Sequence, residues 1–201
     1  MNALLARTTT LNRFANTFVP FALMMSASLI IPETFPDIAH RRAMFTIWTT
    51  MAFLIPSLCL FFVPGDSEAQ SNYWLLCWTF GFLALVSHFY FTIAVIFHGS
   101  LQEVYAQQGP IIATSNFVDL GWWGFDLLLA WLVAGEPRWI RYERIGAHLY
   151  IPLTFFISAV IIKHGFVRGL GIVMTVALLL SLLLHRYLVR DDSTTLRSVP
   201  S

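Results

Sequence analysis

The sequence has few charged residues and only two cysteines. Charged residues make up 11% of its 201 positions, against roughly 25% in an average soluble domain, so little of the chain is suited to a water-facing surface. The net charge of +1 provides no clustered basic face of the kind that nucleic-acid binding requires. Cys59 and Cys77 both fall in apolar runs, without a CxxC pair or a disulfide framework, which favours buried thiols. These shortages argue against a nucleic-acid-binding protein and against a disulfide-rich one.

Several local motifs of catalysis and metal binding are also missing. The sequence contains no HxxxH or ExxH pair of the kind that holds zinc or two irons. It has neither a GxSxG nucleophile turn nor a glycine loop for phosphate. Haem held by two histidines needs imidazoles that face each other at one depth. His148 and His185 lie at one boundary, but no local spacing supports that pairing, so the cofactor is unknown and no metal site is predicted.

Hydrophobic residues make up 57% of the chain and are gathered in long runs. A run of about 17–25 residues is long enough to cross a hydrocarbon core of about 30 Å. Spanning segments without strand alternation must be helical, because lipid offers the backbone amides no partner. The sequence therefore predicts one integral membrane domain, an all-α transmembrane helical bundle of about six spans. The predicted spans are 14–32, 43–63, 73–97, 117–134, 146–162 and 169–185.

The first of these runs, 14–32, has a second interpretation. Arg7 and Arg13 precede it and small residues follow, as in a secretory signal peptide. The apolar run continues through Leu29–Ile31, where a cleaved segment should turn polar. This continuation favours a span over a signal peptide.

Polar stretches separate the runs. The longest, 98–116, has apolar residues at helical spacing and is expected to hold a short interfacial helix before Gly109-Pro110. The segment 135–148 combines three arginines with Trp139 and Tyr142, a mixture expected at a membrane–water boundary. We interpret both stretches as connectors between spans.

The basic residues are unevenly divided between the two sides of a six-span chain. Eight lie on the side of the termini and four on the other side. Because Lys and Arg concentrate on the cytoplasmic side, both termini are predicted to be cytoplasmic. The eight are Arg7, Arg13, Arg138, Arg141, Arg144, Arg186, Arg190 and Arg197, and the four are Arg41, Arg42, Lys163 and Arg168.

The stretch "VDLGWWGFDLLLAWL", residues 118–132, places two aspartates in a predicted span. A carboxylate in lipid is expensive, so such residues normally face the bundle interior and are candidates for function. Asp119 and Asp126 share one helix stripe at about 3.6 residues per turn, and His88 in the third span is placed at a depth between them. We expect a cluster in which Asp126 points inward as the acid or orienting group, while His88 and Asp119 assist proton transfer or acid–base chemistry.

Structural roles are open for the same three residues. Asp119 is a candidate helix cap, since the helix dipole stabilises an acid at that end. His88 is a candidate donor to a backbone carbonyl, and Asp126 a candidate structural hydrogen-bonding group. The candidate ligand contacts beside them, for which packing is the alternative, are Trp122, Trp123 and Tyr90.

Four short motifs stand in a distinctive order along the chain. They are "FVPFALM" (18–24), "GSLQEV" (99–104), "FDLLLAW" (125–131) and "YIPLTFF" (150–156), with the pair Arg41-Arg42 after the first and a basic connector before the last. In this layout, chiefly from Phe97 to Leu170, the chain resembles a family of small membrane proteins associated with neoxanthin synthesis in plants, the abscisic-acid-deficient type, which has bacterial relatives.

The resemblance implies a role near carotenoid or isoprenoid metabolism, without implying catalysis. Only Asp126 carries over residue for residue. The family places Trp and His ahead of that aspartate, where this chain has Asp119 and Gly121. The family also has fewer spans than the six predicted here.

The sequence therefore predicts a multi-pass protein of the lipid bilayer, with an intramembrane polar site that binds or processes a hydrophobic small molecule such as an isoprenoid, pigment or quinone. One alternative is a non-catalytic accessory or assembly subunit, whose aspartates pair with cations of partner membrane subunits. Another is a small proton-coupled transporter. Whether the protein is an enzyme is left open. An inward carboxylate beside a cavity would favour the first function, and an outward one would require a partner.

Overall fold

The protein is built from helices. The computed structural model describes residues 9–63, 65, 67–133, 135, 137–162 and 165–195, and the regular structure in these ranges is helical throughout. The helices are α1 (Leu11–Ile30), α2 (Ile38–Phe62), α3 (Glu68–Phe89), α4 (Leu101–Gln108), α5 (Pro110–Leu132), α6 (Arg138–Phe156) and α7 (Phe166–Thr195). A short 3-10 helix, Ile31–Thr34, follows α1, and the π-helical segments Tyr90–Ile96 and Ile157–Ile162 extend α3 and α6. Arg7, Lys163 and Arg197, which enter the orientation count, lie outside the described residues.

Five helices in the described part of the chain are long and apolar enough to cross a membrane, where the sequence predicts about six. The predicted fourth span corresponds to α5, which is not among the five. Its 23 residues suffice in length, but Asn116, Asp119 and Asp126 lower its mean hydropathy. The prediction of a multi-pass helical protein is thus confirmed, with five candidate spans. These are Leu11–Thr34, Ile38–Phe62, Glu68–Ile96, Arg138–Ile162 and Phe166–Leu188.

The turn between α3 and α5 is set by local residues. The Ser100 hydroxyl accepts a hydrogen bond from the backbone N–H of Glu103 at 3.2 Å and so caps α4, because it satisfies a donor that the first turn leaves unpaired. Gly109 ends α4 with a φ of 79°, a conformation that favours glycine, and Pro110 begins α5. The short helix predicted within 98–116 is present as α4, although the last residues of that stretch already belong to α5. Its interfacial position stays a prediction.

The core lies where α2, α3, α5 and α6 meet, and α2 and α3 form the most extensive helix pair. One fully buried residue from each of these helices marks the core, namely Leu54, Trp78, Trp123 and Ile151. Gly81 lets α3 approach α5 closely, since a Cβ at this position would lie 3.1 Å from the Trp123 ring. The side chains of α3 and α5, which carry the candidate residues, are therefore in direct contact.

The outer helices α1 and α7 are mainly exposed. A hydrogen bond of 2.9 Å between the hydroxyls of Ser28 and Thr49 joins α1 to α2, and the exposed side chains of both outer helices are mostly apolar. Such surfaces suit lipid. Several polar side chains, among them Asp119, Asp126, Arg144 and His148, are instead buried inside the bundle.

Candidate functional site

Asp126 is fully buried and is held by donors from two neighbouring helices. Its Oδ1 accepts a hydrogen bond from Arg144 Nε on α6 at 3.1 Å, and its Oδ2 accepts one from Trp78 Nε1 on α3 at 2.8 Å. Charge-assisted hydrogen bonds of this kind are stronger than neutral ones. This buried carboxylate therefore finds its cation within its own chain.

His148, one turn after Arg144, extends this network. Its Nε2 accepts a hydrogen bond from Trp74 Nε1 at 3.0 Å, so Nδ1 carries the ring proton and donates to the backbone carbonyl of Arg144 at 2.9 Å. The Arg144 guanidinium also lies over the Trp74 ring, 5.0 Å from its centroid. With both ring nitrogens engaged, His148 has none left for a haem iron, which disfavours the haem pairing considered from the sequence.

A row of stacked rings passes through the same network. Phe61 on α2, His148 on α6, Trp78 on α3 and Trp123 on α5 follow one another, with centroid distances of 3.9, 4.1 and 4.4 Å. Each core helix contributes one ring. The network around Asp126 thus joins the four helices, through ring packing and through the ion pair of Asp126 with Arg144.

A cavity of about 630 Å³ is the second candidate site in the bundle. Small-molecule sites commonly have volumes of roughly 300–1,000 Å³. Most of the wall is apolar, and its buried end includes Met51, Leu85 and Phe155. Asp119 and His88 both lie on this wall, so the cavity combines an apolar interior with a carboxyl group and an imidazole.

Asp119 is only 3% exposed. The Thr154 hydroxyl oxygen lies 2.8 and 2.7 Å from its two carboxyl oxygens and 2.7 Å from the carbonyl oxygen of Ile151. A hydroxyl has a single proton and can donate it to only one of these acceptors at a time. The Asp119 carboxyl therefore keeps hydrogen-bonding capacity for a molecule in the cavity.

The helix-cap interpretation of Asp119 is wrong. Because α5 begins at Pro110, Asp119 lies nine residues beyond the helix start, about two and a half turns at about 3.6 residues per turn. The unpaired amides of the first turn are out of its reach. The polar composition of 98–116 suggested a later start than the structure has.

His88 has a structural contact as well as a place on the cavity wall. Its Nδ1–H donates to the backbone carbonyl of Ala43 on α2, with a distance of 2.8 Å. This contact agrees with the interpretation of His88 as a donor to a backbone carbonyl. The same imidazole lines the cavity, so the two roles are compatible.

The structure therefore places the three predicted site residues in two locations. Asp119 and His88 lie on the cavity wall, whereas the oxygens of Asp126 accept hydrogen bonds from Arg144 and Trp78. The two aspartates share a helix stripe, as predicted, but they meet different neighbours because α5 crosses different levels of α3 and α6. Their chemical roles should differ accordingly.

The candidate ligand contacts are found outside this wall. Trp122 donates its indole N–H to Glu143 Oε1 at 2.8 Å, and Trp123 packs on Trp78 in the ring stack. Tyr90 is 59% exposed at the start of the first π-helical segment. Their part in ligand binding stays a prediction.

Polar residues surround the cavity where it approaches the bundle surface. His40 and Gln107 line it and are both exposed. Asp37 accepts a hydrogen bond from the His40 ring at 2.9 Å, and this hydrogen bond lowers the pKa of Asp37 below its usual range. Asp37 also caps α2 through the backbone N–H of His40 at 3.4 Å. Among the described residues, two of the three exposed ones that line the cavity are thus polar, and the third is Ile162.

The two π-helical segments both border the cavity. Thr92 and Ile96 of the first segment and Ser158 and Ile162 of the second lie on its wall. Short π-helical stretches within α-helices often occur at functional sites. The buried Thr92 hydroxyl has no hydrogen-bond partner among the described residues, so it is a further polar atom that a bound molecule can satisfy.

Most of the partners of the two aspartates were not predicted from the sequence. Local composition placed Arg144 in a boundary connector, but α6 already begins at Arg138. A usable signal was present, since Asp126 needs a cation and Arg144 and His148, four residues apart, share a helix face. The missed residues are Trp74, Trp78, Glu143, Arg144, His148 and Thr154.

Comparison with known proteins gives no match for this chain, whether to a family model, to a curated protein or to a solved structure. The resemblance to the family associated with neoxanthin synthesis therefore stays a prediction. The geometry of the cavity and its polar groups is what bears on the function.

Proposed function

We propose that this multi-pass membrane protein binds a hydrophobic small molecule with a polar end, of the isoprenoid, pigment or quinone type, in the cavity between α2, α3, α5 and α6. Asp119 forms the hydrogen bond that orients the polar end of the molecule, and His88 is the second polar group beside it. Asp126 holds the helices in place. The family resemblance points to the same ligand chemistry but is an independent expectation.

The position of Asp119 carries this proposal. A carboxyl group that is 3% exposed and lies on a largely apolar cavity wall has little solvent to hydrogen-bond. Unsatisfied buried polar groups cost about 1–3 kcal/mol, and the single Thr154 hydroxyl proton is shared among three acceptors. A ligand hydroxyl or other donor placed there gains a hydrogen bond while its apolar part fills the cavity.

The proposal includes α5 as a sixth span. Asp119 contacts Thr154 near the end of α6, and Asp126 contacts Arg144 near its beginning, so α5 runs antiparallel to α6 alongside it. A helix of 23 residues is about 34 Å long at about 1.5 Å per residue, enough for a core of about 30 Å. An internal helix can be less apolar than the lipid-facing ones because neighbours satisfy its polar groups.

Six spans would put both termini on one side of the membrane, and the basic-residue count supports the cytoplasmic side. The accessory-subunit alternative depends on aspartates that reach a partner's cations. Asp119 and Asp126 are both buried inside the chain, which gives that alternative no support from these residues. The proton-coupled transporter stays a further possibility for the same polar groups.

Native mass spectrometry after purification in mild detergent tests the proposal. Ser158 lines the cavity, whereas its neighbour Ile157 is 40% exposed in the same π-helical segment. Ser158→Trp should occupy part of the cavity and obstruct the bound molecule, and Ile157→Trp is a matched control that adds a ring to the outer surface. The wild type and the control should carry a bound apolar molecule that Ser158→Trp lacks.

Two results contradict the proposal. One is a folded wild-type protein that carries no adduct and retains no added quinone or isoprenoid alcohol. The other is an adduct present on folded Ser158→Trp protein in the same proportion as on wild type.

A further inference from the structure

A groove of about 220 Å³ lies between α6 and α7, with part of its wall supplied by Phe62 of α2. It is separate from the cavity beside Asp119. Most of its wall is apolar, and Met174 on that wall is fully buried. The exposed residues of the wall are the leucines Leu149, Leu153, Leu179 and Leu182. The groove therefore opens on the outer, apolar surface of the bundle.

The polar side chains that the described residues place on this wall are those of His148 and Thr175, and both are already engaged. The His148 ring contacts Trp74 and the backbone carbonyl of Arg144 through its two nitrogens. The Thr175 hydroxyl donates to the carbonyl oxygen of Gly171 at 2.8 Å. An occupant of the groove therefore gains apolar contact and no hydrogen bond from these side chains, and a hydrocarbon chain is the chemistry that fits.

The antiparallel packing of α6 and α7 fixes which residues lie at the same level. A Cβ on Gly171 would lie 2.8 Å from the Cβ of Ala159, so these two positions are level with each other. Leu182 stands eleven residues further along α7, and His148 stands eleven residues back along α6. Both line the groove, which confirms the alignment. One end of the groove is thus directed toward the beginning of α6.

Arginines from both helices lie beyond this end of the groove. Arg186 follows Leu182 by four residues and so shares its face of α7. Arg138 precedes Leu149 by eleven residues, which is about three turns of about 3.6 residues, and so shares its face of α6. Both arginines are exposed. No carboxylate of the described residues forms an ion pair with either of them.

The two arginines stand at neighbouring levels near a membrane boundary. By the same alignment Arg186 is level with Arg144, six residues or about 9 Å from Arg138 at about 1.5 Å per residue. Two long side chains can bridge this separation with an anion between them. Trp139 and Tyr142, next to Arg138 on α6, are 55% and 73% exposed. Exposed Trp and Tyr are typical of the headgroup level of a bilayer, so the arginines lie where lipid phosphates are found.

We propose that the groove between α6 and α7 binds an anionic phospholipid, with an acyl chain along the leucines and the phosphate between Arg138 and Arg186. Guanidinium groups bind phosphate oxygens through charge-assisted hydrogen bonds, and basic residues beside a spanning helix attract anionic lipids. A zwitterionic lipid gains less, because its own cation offsets the charge of its phosphate. This site does not depend on the molecule proposed for the cavity beside Asp119.

Native mass spectrometry of the full-length protein in mild detergent tests the headgroup contact, with phosphatidylglycerol and phosphatidylcholine of the same chain length added in equal amounts. Wild type should retain phosphatidylglycerol in preference, and each arginine should contribute about fivefold to that preference. The double variant Arg138→Gln/Arg186→Gln should retain the two lipids equally. Arg168→Gln, an exposed change at the other end of α7, is the matched control and should keep the wild-type preference.

A second pair of variants tests the acyl-chain contact. Leu179 lines the groove, whereas its neighbour Leu180 is 61% exposed and outside it. Leu179→Trp should obstruct the groove and lower the retention of phosphatidylglycerol, while Leu180→Trp should behave as wild type. The proposal is overturned if wild type retains both lipids equally, if the double arginine variant keeps the preference, or if folded Leu179→Trp retains phosphatidylglycerol as wild type does.

Discussion

Arg144 Nε lies 3.1 Å from Asp126 Oδ1, with the two residues 5% and 0% exposed. Removing one member of such a buried pair leaves a charge without compensation, which typically costs about 3–5 kcal/mol. The pair is not symmetric, because Glu143 stands beside it. Glu143 precedes Arg144 on α6, so on loss of Asp126 an ionised Glu143 can serve as the counter-charge of Arg144, whereas loss of Arg144 removes the cation that Asp126 contacts.

We therefore expect Arg144→Leu to lower the thermal midpoint more than Asp126→Leu does. The double variant Arg144→Leu/Asp126→Leu should recover part of the lost thermal stability, since it removes both charges of the ion pair. Fluorescence-detected size exclusion after heating in detergent measures these midpoints. Arg141→Leu, at an exposed position of the same helix, is the control and should remain close to wild type. Equal losses in the two single variants would contradict the compensating role of Glu143.

His148 offers a test of the ring stack. His148→Phe keeps an aromatic ring between Phe61 and Trp78 but leaves Trp74 Nε1 without its acceptor, at an expected cost of about 1–3 kcal/mol. His148→Ala also opens a void in the core and should be worse, by analogy with large-to-small core changes of about 3–5 kcal/mol. The same thermal assay ranks the two variants.

The matched control for His148 is His185, an exposed histidine whose Nδ1 lies 3.0 Å from the Phe62 carbonyl oxygen. His185→Phe should have a much smaller effect. If His148→Phe is as stable as wild type, the hydrogen bonds of the ring contribute nothing measurable and only its packing matters.

Gly146 is required by the packing of α5 on α6. A Cβ at this position would lie 3.0 Å from the Trp122 ring, so Gly146→Val should displace Trp122 and break its hydrogen bond to Glu143. The expected results are a lower thermal midpoint and a change in tryptophan fluorescence. Gly121→Ala is the control, since nothing lies within 4 Å of its Cβ position, and replacing a helical glycine should stabilise by about 0.5–1 kcal/mol. Similar midpoints for the two variants would refute this packing argument.

The membrane topology can be tested by cysteine labelling in intact cells, after replacing Cys59 and Cys77 by serine. Gln107→Cys and Pro137→Cys flank α5 at exposed positions. If α5 crosses the membrane with cytoplasmic termini, an impermeant reagent should label the first position from outside and the second only in inverted membranes. Labelling of both positions from the same side would remove α5 as a span.

The elements of the fold could largely be predicted from the sequence, since the long apolar runs and the Gly109-Pro110 turn are each visible within one continuous segment. The number of apolar spans could not, because α5 contains two aspartates and is not among the helices apolar enough to span a membrane. Its aspartates have partners on α3 and α6 rather than in their own segment. Hydropathy averaged over one segment does not include contacts with other helices.

The same limit applies to the site. That Asp126 must be buried follows from the cost of a lipid-exposed carboxylate, and its burial is complete. Its cation, Arg144, lies in the segment 135–148. The three arginines and the aromatic residues of that segment suggest a connector at the membrane surface. The pairing of Asp126 with Arg144 and of Asp119 with Thr154 depends on the register between helices, which no local pattern encodes.

The account assigns different tasks to the two aspartates of α5, and the ratio of bound apolar molecule to folded protein in aspartate variants tests this most directly. Asp119→Leu leaves Thr154 free to donate to Ile151, so it should fold normally yet lose the molecule seen by native mass spectrometry on wild type. Asp126→Leu should reduce the amount of folded protein, while the remaining folded fraction keeps the molecule. Folded Asp119→Leu protein that carries the molecule in the wild-type ratio would contradict the account.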